Sequence, residues 1–213
     1  RQQVANVDAK AKTFDLTVTA IRAPGPAPAD APAAGKEFLG SSFFIDWDTD
    51  AVKALAKQAV ADLPATATGW QKARAVEAFV NRSMKATEFS QAMATCSNTA
   101  RTLTGDCTEY AMLAAGLCRA VGVPSRTALG LVYAPSRDGK PFLAYHMWFE
   151  VLVEGQWVAL DATLGRGSVG PGHVKIADAS WHDERSFAPL LPVLAVLSAA
   201  PKFEVRKTTP AGR

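Results

Sequence analysis

Cysteine is scarce in this chain of 213 residues: there are three, Cys96, Cys107 and Cys118. Three cannot pair off, so a disulfide framework is excluded, and at least one thiol is either buried filler or chemistry. No Cys-x-x-Cys occurs, which argues against a zinc site. Long apolar runs are also missing; none approaches the ~20 residues that cross a bilayer. Neither sign of charge is in excess, with Lys and Arg numbering 23 against 20 Asp and Glu. No Lys/Arg stripe appears, so a nucleic-acid partner is not expected. There is no D-x-D-x-D-G calcium loop. Gly165-Arg166-Gly167 is too short to be a phosphate loop. What remains is a globular composition, 48 % hydrophobic and 20 % charged. Such a chain can bury a core without cross-links. A single domain over 1–213 is expected, with no cofactor and no metal. The start at Arg1 rather than Met, and the Ala/Pro-rich stretch that follows, tilt the expectation towards an exported protein.

Hydrophobic periodicity supplies the elements. Phe14, Leu16, Val18 and Ala20 alternate with polar residues, which predicts a strand over Lys12 to Arg22. Residues 23–35 are dominated by Ala and Pro and read as an extended surface loop. Val52, Leu55, Ala56, Ala59 and Val60 give helical spacing from Asp50 to Asp62, ended by Pro64. A second helix is expected from Trp70 to Met84. Lys85 to Thr104 has no clear period and allows only a short helix.

The strongest helix runs from Cys107 to Val121, with Gly122 and Pro124 as its stop. Asp106 and Glu109 form a capping pattern at its start. Strands are expected over Arg126 to Tyr133, Tyr145 to Val153 and Gln156 to Leu160, the last two joined by a turn at Glu154-Gly155. Residues 165–172 read as a glycine-rich loop. Pro189 and Pro192 exclude one long helix between Trp181 and Leu197. Phe203 to Arg206 is a possible closing strand, and 207–213 a flexible tail.

Chemistry begins at Cys107. A helix N-terminus offers roughly half a positive charge and free N–H groups. Placement there lowers a thiol pKa from ~8.5 into the range ~3.5–7.5. Cys118 is three turns on among apolar neighbours and reads as core. The hairpin adds two partners. With Val153 opposite Gln156, Trp148 would face Asp161 and His146 would face Thr163, so His146 and Asp161 share one face as diagonal neighbours. An Asp accepting from one ring nitrogen leaves the other free for a thiol. Cys107, His146 and Asp161 together make a Cys-His-Asp constellation.

Three segments resemble one known family. Gly105-Asp106-Cys107-Thr108-Glu109-Tyr110-Ala111 resembles the G-x-C-x-x-x-A signature of the transglutaminase-like superfamily. Arg119-Ala120-Val121-Gly122-Val123-Pro124-Ser125-Arg126 resembles its R-A-x-G-I-P-A-R segment. His146-Met147-Trp148-Phe149-Glu150-Val151, with Gly155, Trp157 and Asp161-Ala162-Thr163, resembles its H-A-W-x-E-V, G-x-W and D-P-T block. Met147 stands for Ala and Ala162 for Pro, changes expected to affect the shape of the cleft and the strand exit. The resemblance covers about residues 70–165.

It implies an α+β, papain-like fold with the nucleophile helix packed on an antiparallel sheet. It implies Cys107 as nucleophile, His146 as general base and acid, and Asp161 as the orienting group. The substrate would be a protein or peptide carbonyl or a glutamine carboxamide. Hydrolysis is favoured over cross-linking, because the extra domains of the cross-linking enzymes are not seen. The Cys107 N–H is one oxyanion donor; Trp70, by its rough distance before the cysteine, and Asn98, by its chemistry, are candidates for a second.

Rival readings remain open: a non-catalytic peptide-binding module of the same fold, or a metal site of Cys107, His146 and Asp161. Outside the triad, His173 and His182 read as surface-loop residues. Trp148 and Trp157 read as core or cleft wall, Glu109 as a cap, and Arg126 as cover for a strand end.

Overall fold

The computed structural model describes residues 1–27, 33–86, 93–135 and 141–209. Residues 28–32 of the expected loop and 210–213 of the expected tail lie outside them. The chain opens with an antiparallel ribbon of β1 (Gln2–Asp8) and β2 (Thr13–Val18). The alternation around Phe14 marked β2; β1 is exposed throughout and lacks such a signal. Residues 23–27 and 33–35 carry no helix or strand. Phe44 and Ile45 then enter the core, while Phe43 stays outside.

Four helices follow. They are α1 (Asp50–Ala59), α2 (Gly69–Ser83), α3 (Cys96–Thr102) and α4 (Cys107–Ala120). A short parallel pair, β3 (Lys85–Ala86) with β4 (Thr104–Gly105), ties the segment after α2 to the segment before α4. Thr68 and Gln71 close a capping box at the start of α2. Every residue of α4 from Cys107 to Arg119 is buried. A helix buried on all sides belongs in the centre, and α4 packs on α1, α2 and α3 and on the sheet.

That sheet has the order β7-β6-β5-β8, where β5 is Ser125–Pro135, β6 Pro141–Val153, β7 Gln156–Leu160 and β8 His173–Ala179. All its neighbours are antiparallel. Glu154 (φ 49°) and Gly155 (φ 66°) make the β6–β7 turn, whose left-handed backbone suits glycine. Val153 does pair with Gln156, but the ladder stops at Phe149 with Leu160. The expected pairings of Trp148 with Asp161 and of His146 with Thr163 therefore do not form; the chain turns away at Asp161, whose carbonyl accepts from Gly165 N–H at 3.1 Å.

β8 is an addition to the expected elements. The expected closing strand at Phe203 to Arg206 does not form. The edge of β8 is occupied at Lys175 by the side-chain amide of Gln2, which bonds both its N–H and its carbonyl. Arg206 instead pairs with Asp15 at 2.9 Å. Pro192 lies in the first turn of α5 (Leu191–Ser198), where its missing N–H costs nothing, so the prolines start a short helix rather than only preventing a long one. Among the described residues, no helix is long and apolar enough to cross a membrane.

Candidate active site

Cys107 is the first residue of α4. Asp106 accepts from Thr108 N–H at 2.9 Å, and Glu109 accepts from Asp106 N–H at 3.1 Å, so the capping box fixes the helix start. Glu109 also accepts from Ala94 N–H at 2.9 Å, which moors the segment before α3. Burial pushes the Glu109 carboxyl up. The other two thiols, Cys96 and Cys118, are fully buried, and burial raises both well above the ordinary thiol range. They are core groups, not nucleophiles.

His146 is on β6, on the face opposite Met147 and Phe149, which pack into the core. Its Nε2 is 2.7 Å from Asp161 Oδ2. The diagonal neighbours of the hairpin therefore meet even though the ladder ends before Asp161. Burial alone would lower the proton affinity of the ring; the hydrogen bond to Asp161, then the nearby Cys107, raises its pKa to about 9. With Nε2 on the carboxylate, Nδ1 is the nitrogen left for the thiol. The Trp148 ring stacks beside His146, with centroids 6.1 Å apart. Burial first, then the nearby Cys107, pushes the Tyr145 hydroxyl pKa up.

Asp161 is 2 % exposed. Burial would raise its pKa, but His146 and His173 hold it well below the usual carboxylate range. Its Oδ1 accepts from Thr163 N–H at 2.9 Å and Leu164 N–H at 3.3 Å.

The turn after Asp161 is strapped to α2. Asn81 Nδ2 donates to the carbonyls of Ala162 at 2.8 Å and Thr163 at 3.3 Å. Glu77, one turn earlier on the same face, accepts from Gly167 N–H at 2.8 Å. Asn81→Ala removes the donor to two carbonyls. It is expected to cost about 1–2 kcal/mol, seen as a lower urea midpoint at unchanged m.

His173 corrects the expectation of a surface loop. It starts β8, is 8 % exposed, and puts Nε2 2.9 Å from Asp161 Oδ2. The alternation in His173-Val174-Lys175-Ile176 was the signal for this strand. His182 does lie outside, beside Asp183 at 3.4 Å. Arg126 stacks over Trp157 at 4.0 Å and pairs with Glu150 and Asp178, so it covers the sheet.

Trp70 is misplaced for an oxyanion donor. It begins α2 next to Gly69, which abuts Val123 and Val153, and Lys72 reaches the Val121 carbonyl. That is the far end of α4, about 20 Å along the axis from Cys107. Asn98 sits in the first turn of α3 with its N–H on Thr95 Oγ1.

Among the described residues, the group with metal-like convergence is His146, Asp161 and His173, with ligand atoms within 4.8 Å of one another; Cys107 is not in it. Hydrogen bonds of 2.7 and 2.9 Å already join these atoms.

The linkage has a definite sign. The folded pKa of His146, about 9, lies above its ordinary 6.5, so its stabilisation is full below pH 6.5 and lost as pH rises through 9. Asp161 runs the other way: its stabilisation is full above its ordinary 3.8 and lost only in stronger acid. The thermal midpoint is expected to fall between about pH 7 and about pH 10, with a flatter profile in His146→Ala.

No curated protein sequence matches the chain. Solved structures do. A candidate cysteine protease from Cytophaga hutchinsonii is 22 % identical with a TM-score of 0.57, covering 78 % of this chain and 55 % of that one. The periplasmic domain of TgpA from Pseudomonas aeruginosa, bound to ethylmercury, is 22 % identical with a TM-score of 0.39, over 54 % and 44 %. Red sea bream transglutaminase is 14 % identical with a TM-score of 0.39, over 59 % and 31 %. The chain thus spans about half the length of the first of these. The first likeness establishes the shared fold, and the expected α+β class is observed. The model of the transglutaminase-like superfamily matches residues 53–162, reaching into α1 beyond the segment the motifs marked. With more than half of its residues inside that match, the chain belongs to the transglutaminase-like superfamily.

Proposed function

We propose that the chain acts on peptide or glutamine carboxamide carbonyls by thiol chemistry, with Cys107 as nucleophile, His146 as base and acid, and Asp161 as the orienting group. The observation that carries this reading is the 2.7 Å contact of His146 Nε2 with Asp161 Oδ2, on a ring whose proton affinity the neighbouring Cys107, the first α4 residue, also raises.

The thiol proton passes to His146, and sulfur attacks the carbonyl carbon. The oxygen takes up the negative charge near the Cys107 N–H at the helix start. As the tetrahedral intermediate collapses, the C–N bond breaks and the amine takes the proton from His146, leaving a thioester. His146 then deprotonates water, whose oxygen displaces the thiolate to give a carboxylic acid; an amine in place of water gives a new amide. Hydrolysis is the favoured outcome, in line with the description of the Cytophaga chain as a candidate cysteine protease.

The test offers a glutamine-containing peptide and excess primary amine in heavy-oxygen water, with products read by mass spectrometry. Heavy oxygen in the product supports hydrolysis, and an amine adduct supports transglutamination. Binding with no turnover favours the peptide-binding module. Because the acid form of His146 protonates the leaving amine, turnover is expected to decline as pH rises through about 9.

A further inference from the structure

Asp161 carries more than one imidazole. A carboxylate has about four acceptor positions, and here all are used: two backbone N–H groups on Oδ1 and two ring Nε2 atoms on Oδ2. The Oδ1 bonds already lock the side chain to the following turn, so His173 is not needed to stop Asp161 swinging. What it adds is a second claim on the same oxygen that holds His146.

We propose that His173 is a positioning residue that shares Asp161 Oδ2 with His146 and so limits how tightly the carboxylate grips the His146 imidazolium. This rests on the function proposed above. The His173 ring is well placed for it. Its backbone is paired with Val132 in the sheet, and its ring meets the Trp148 ring edge-on at 5.1 Å. The ring centroids of His146 and His173 are 5.6 Å apart, with Oδ2 bridging their Nε2 atoms. An acceptor that takes two N–H donors divides its charge between them. The imidazolium at His146 is then a better acid towards the leaving amine than one holding the whole carboxylate.

A cavity of about 240 Å³, bordered by Arg22, Tyr133 and Arg166, opens against His173 and Asp161. Side chains of altered shape at position 173 therefore have room beside them.

Glutamine can place an amide N–H where the imidazole Nε2–H was; leucine fills similar space with no donor. The first measurement needs no turnover: the titration of His146 by NMR in a Cys107→Ala background. His173→Leu is expected to raise the His146 pKa by about one unit, a tenfold gain in proton affinity. His173→Gln is expected to return it towards the parent. In the protein that retains Cys107, His173→Leu should lower kcat about tenfold with little change in KM, and move the alkaline limb upward by a similar amount. His173→Gln should restore both. A His146 titration that stays put or moves down in His173→Leu overturns the proposal, as does a glutamine variant no closer to the parent than leucine. Should the unmodified protein turn over no substrate, the proposed function fails, and the NMR comparison still decides whether the carboxylate is shared.

Discussion

Asp161→Asn is expected to lower kcat by about 10⁴-fold and to destabilise the fold by about 1–3 kcal/mol. Both effects follow from the donors around the carboxylate. Oδ1 faces two backbone N–H groups and Oδ2 faces two ring nitrogens. An amide has one oxygen and one NH2. If the NH2 takes the Oδ1 place, it meets the N–H groups of Thr163 and Leu164, and the turn opens. If it takes the Oδ2 place, it donates to His146 Nε2, which must then accept. The ring then holds its proton on Nδ1, facing the thiol, and cannot act as a base. Steady-state kinetics and a melting curve check the two parts separately. An Asn variant within tenfold of the parent would mean that Asp161 does not set the tautomer of His146.

Gly130→Ala is expected to be the most damaging single methyl addition in the sheet. Gly130 lies where the β5–β8 register shifts, Leu129 pairing with Ala177 but Gly130 with Lys175. A Cβ there would fall on the Val174 carbonyl, with Lys175 Cα at 3.1 Å. These are backbone atoms of the neighbouring strand and cannot rotate aside, so the strand must move. Overpacking of this kind costs about 3 kcal/mol. For a chain of this size that lowers the thermal midpoint by about 10 °C. Because the displaced strand carries His173, which touches Asp161, kcat should fall as well, even far below the transition. An alanine variant with the parent's melting curve would contradict the close approach of β5 and β8.

The helix that opens at Cys107 was legible because several local signals agreed. Asp106, Glu109, the apolar spacing and Gly122 all mark the same segment, and its boundaries match α4. The β6–β7 hairpin was legible because a two-residue turn fixes register, and register alone put His146 and Asp161 on one face. The exact pairing failed beyond Phe149 because the turn at Asp161 is made by its own side chain and by Asn81 on a distant helix. No neighbour in sequence reports such a contact.

His173 was missed for a related reason. Its environment comes from β5, with which β8 pairs after the glycine-rich loop that follows β7, and a lone histidine after such a loop looks exposed. Trp70 failed as an oxyanion donor because distance along the chain does not say which end of a helix a neighbour meets. Here α2 starts beside the C-terminal end of α4.

The most direct measurement is the rate at which iodoacetamide labels Cys107, followed by peptide mass spectrometry from about pH 4 to about pH 9. It should be made on the parent and on His146→Ala. An assembled site predicts labelling of Cys107 in the parent much faster than a free thiol in the acid half of that range. In His146→Ala the acid-side rate should collapse. Cys96 and Cys118 should remain unlabelled in the folded protein, because both are 0 % exposed whereas Cys107 keeps 9 % of its surface. Labelling of Cys107 no faster than a free thiol, and indifferent to the loss of His146, would contradict the account and leave a peptide-binding module as the better reading.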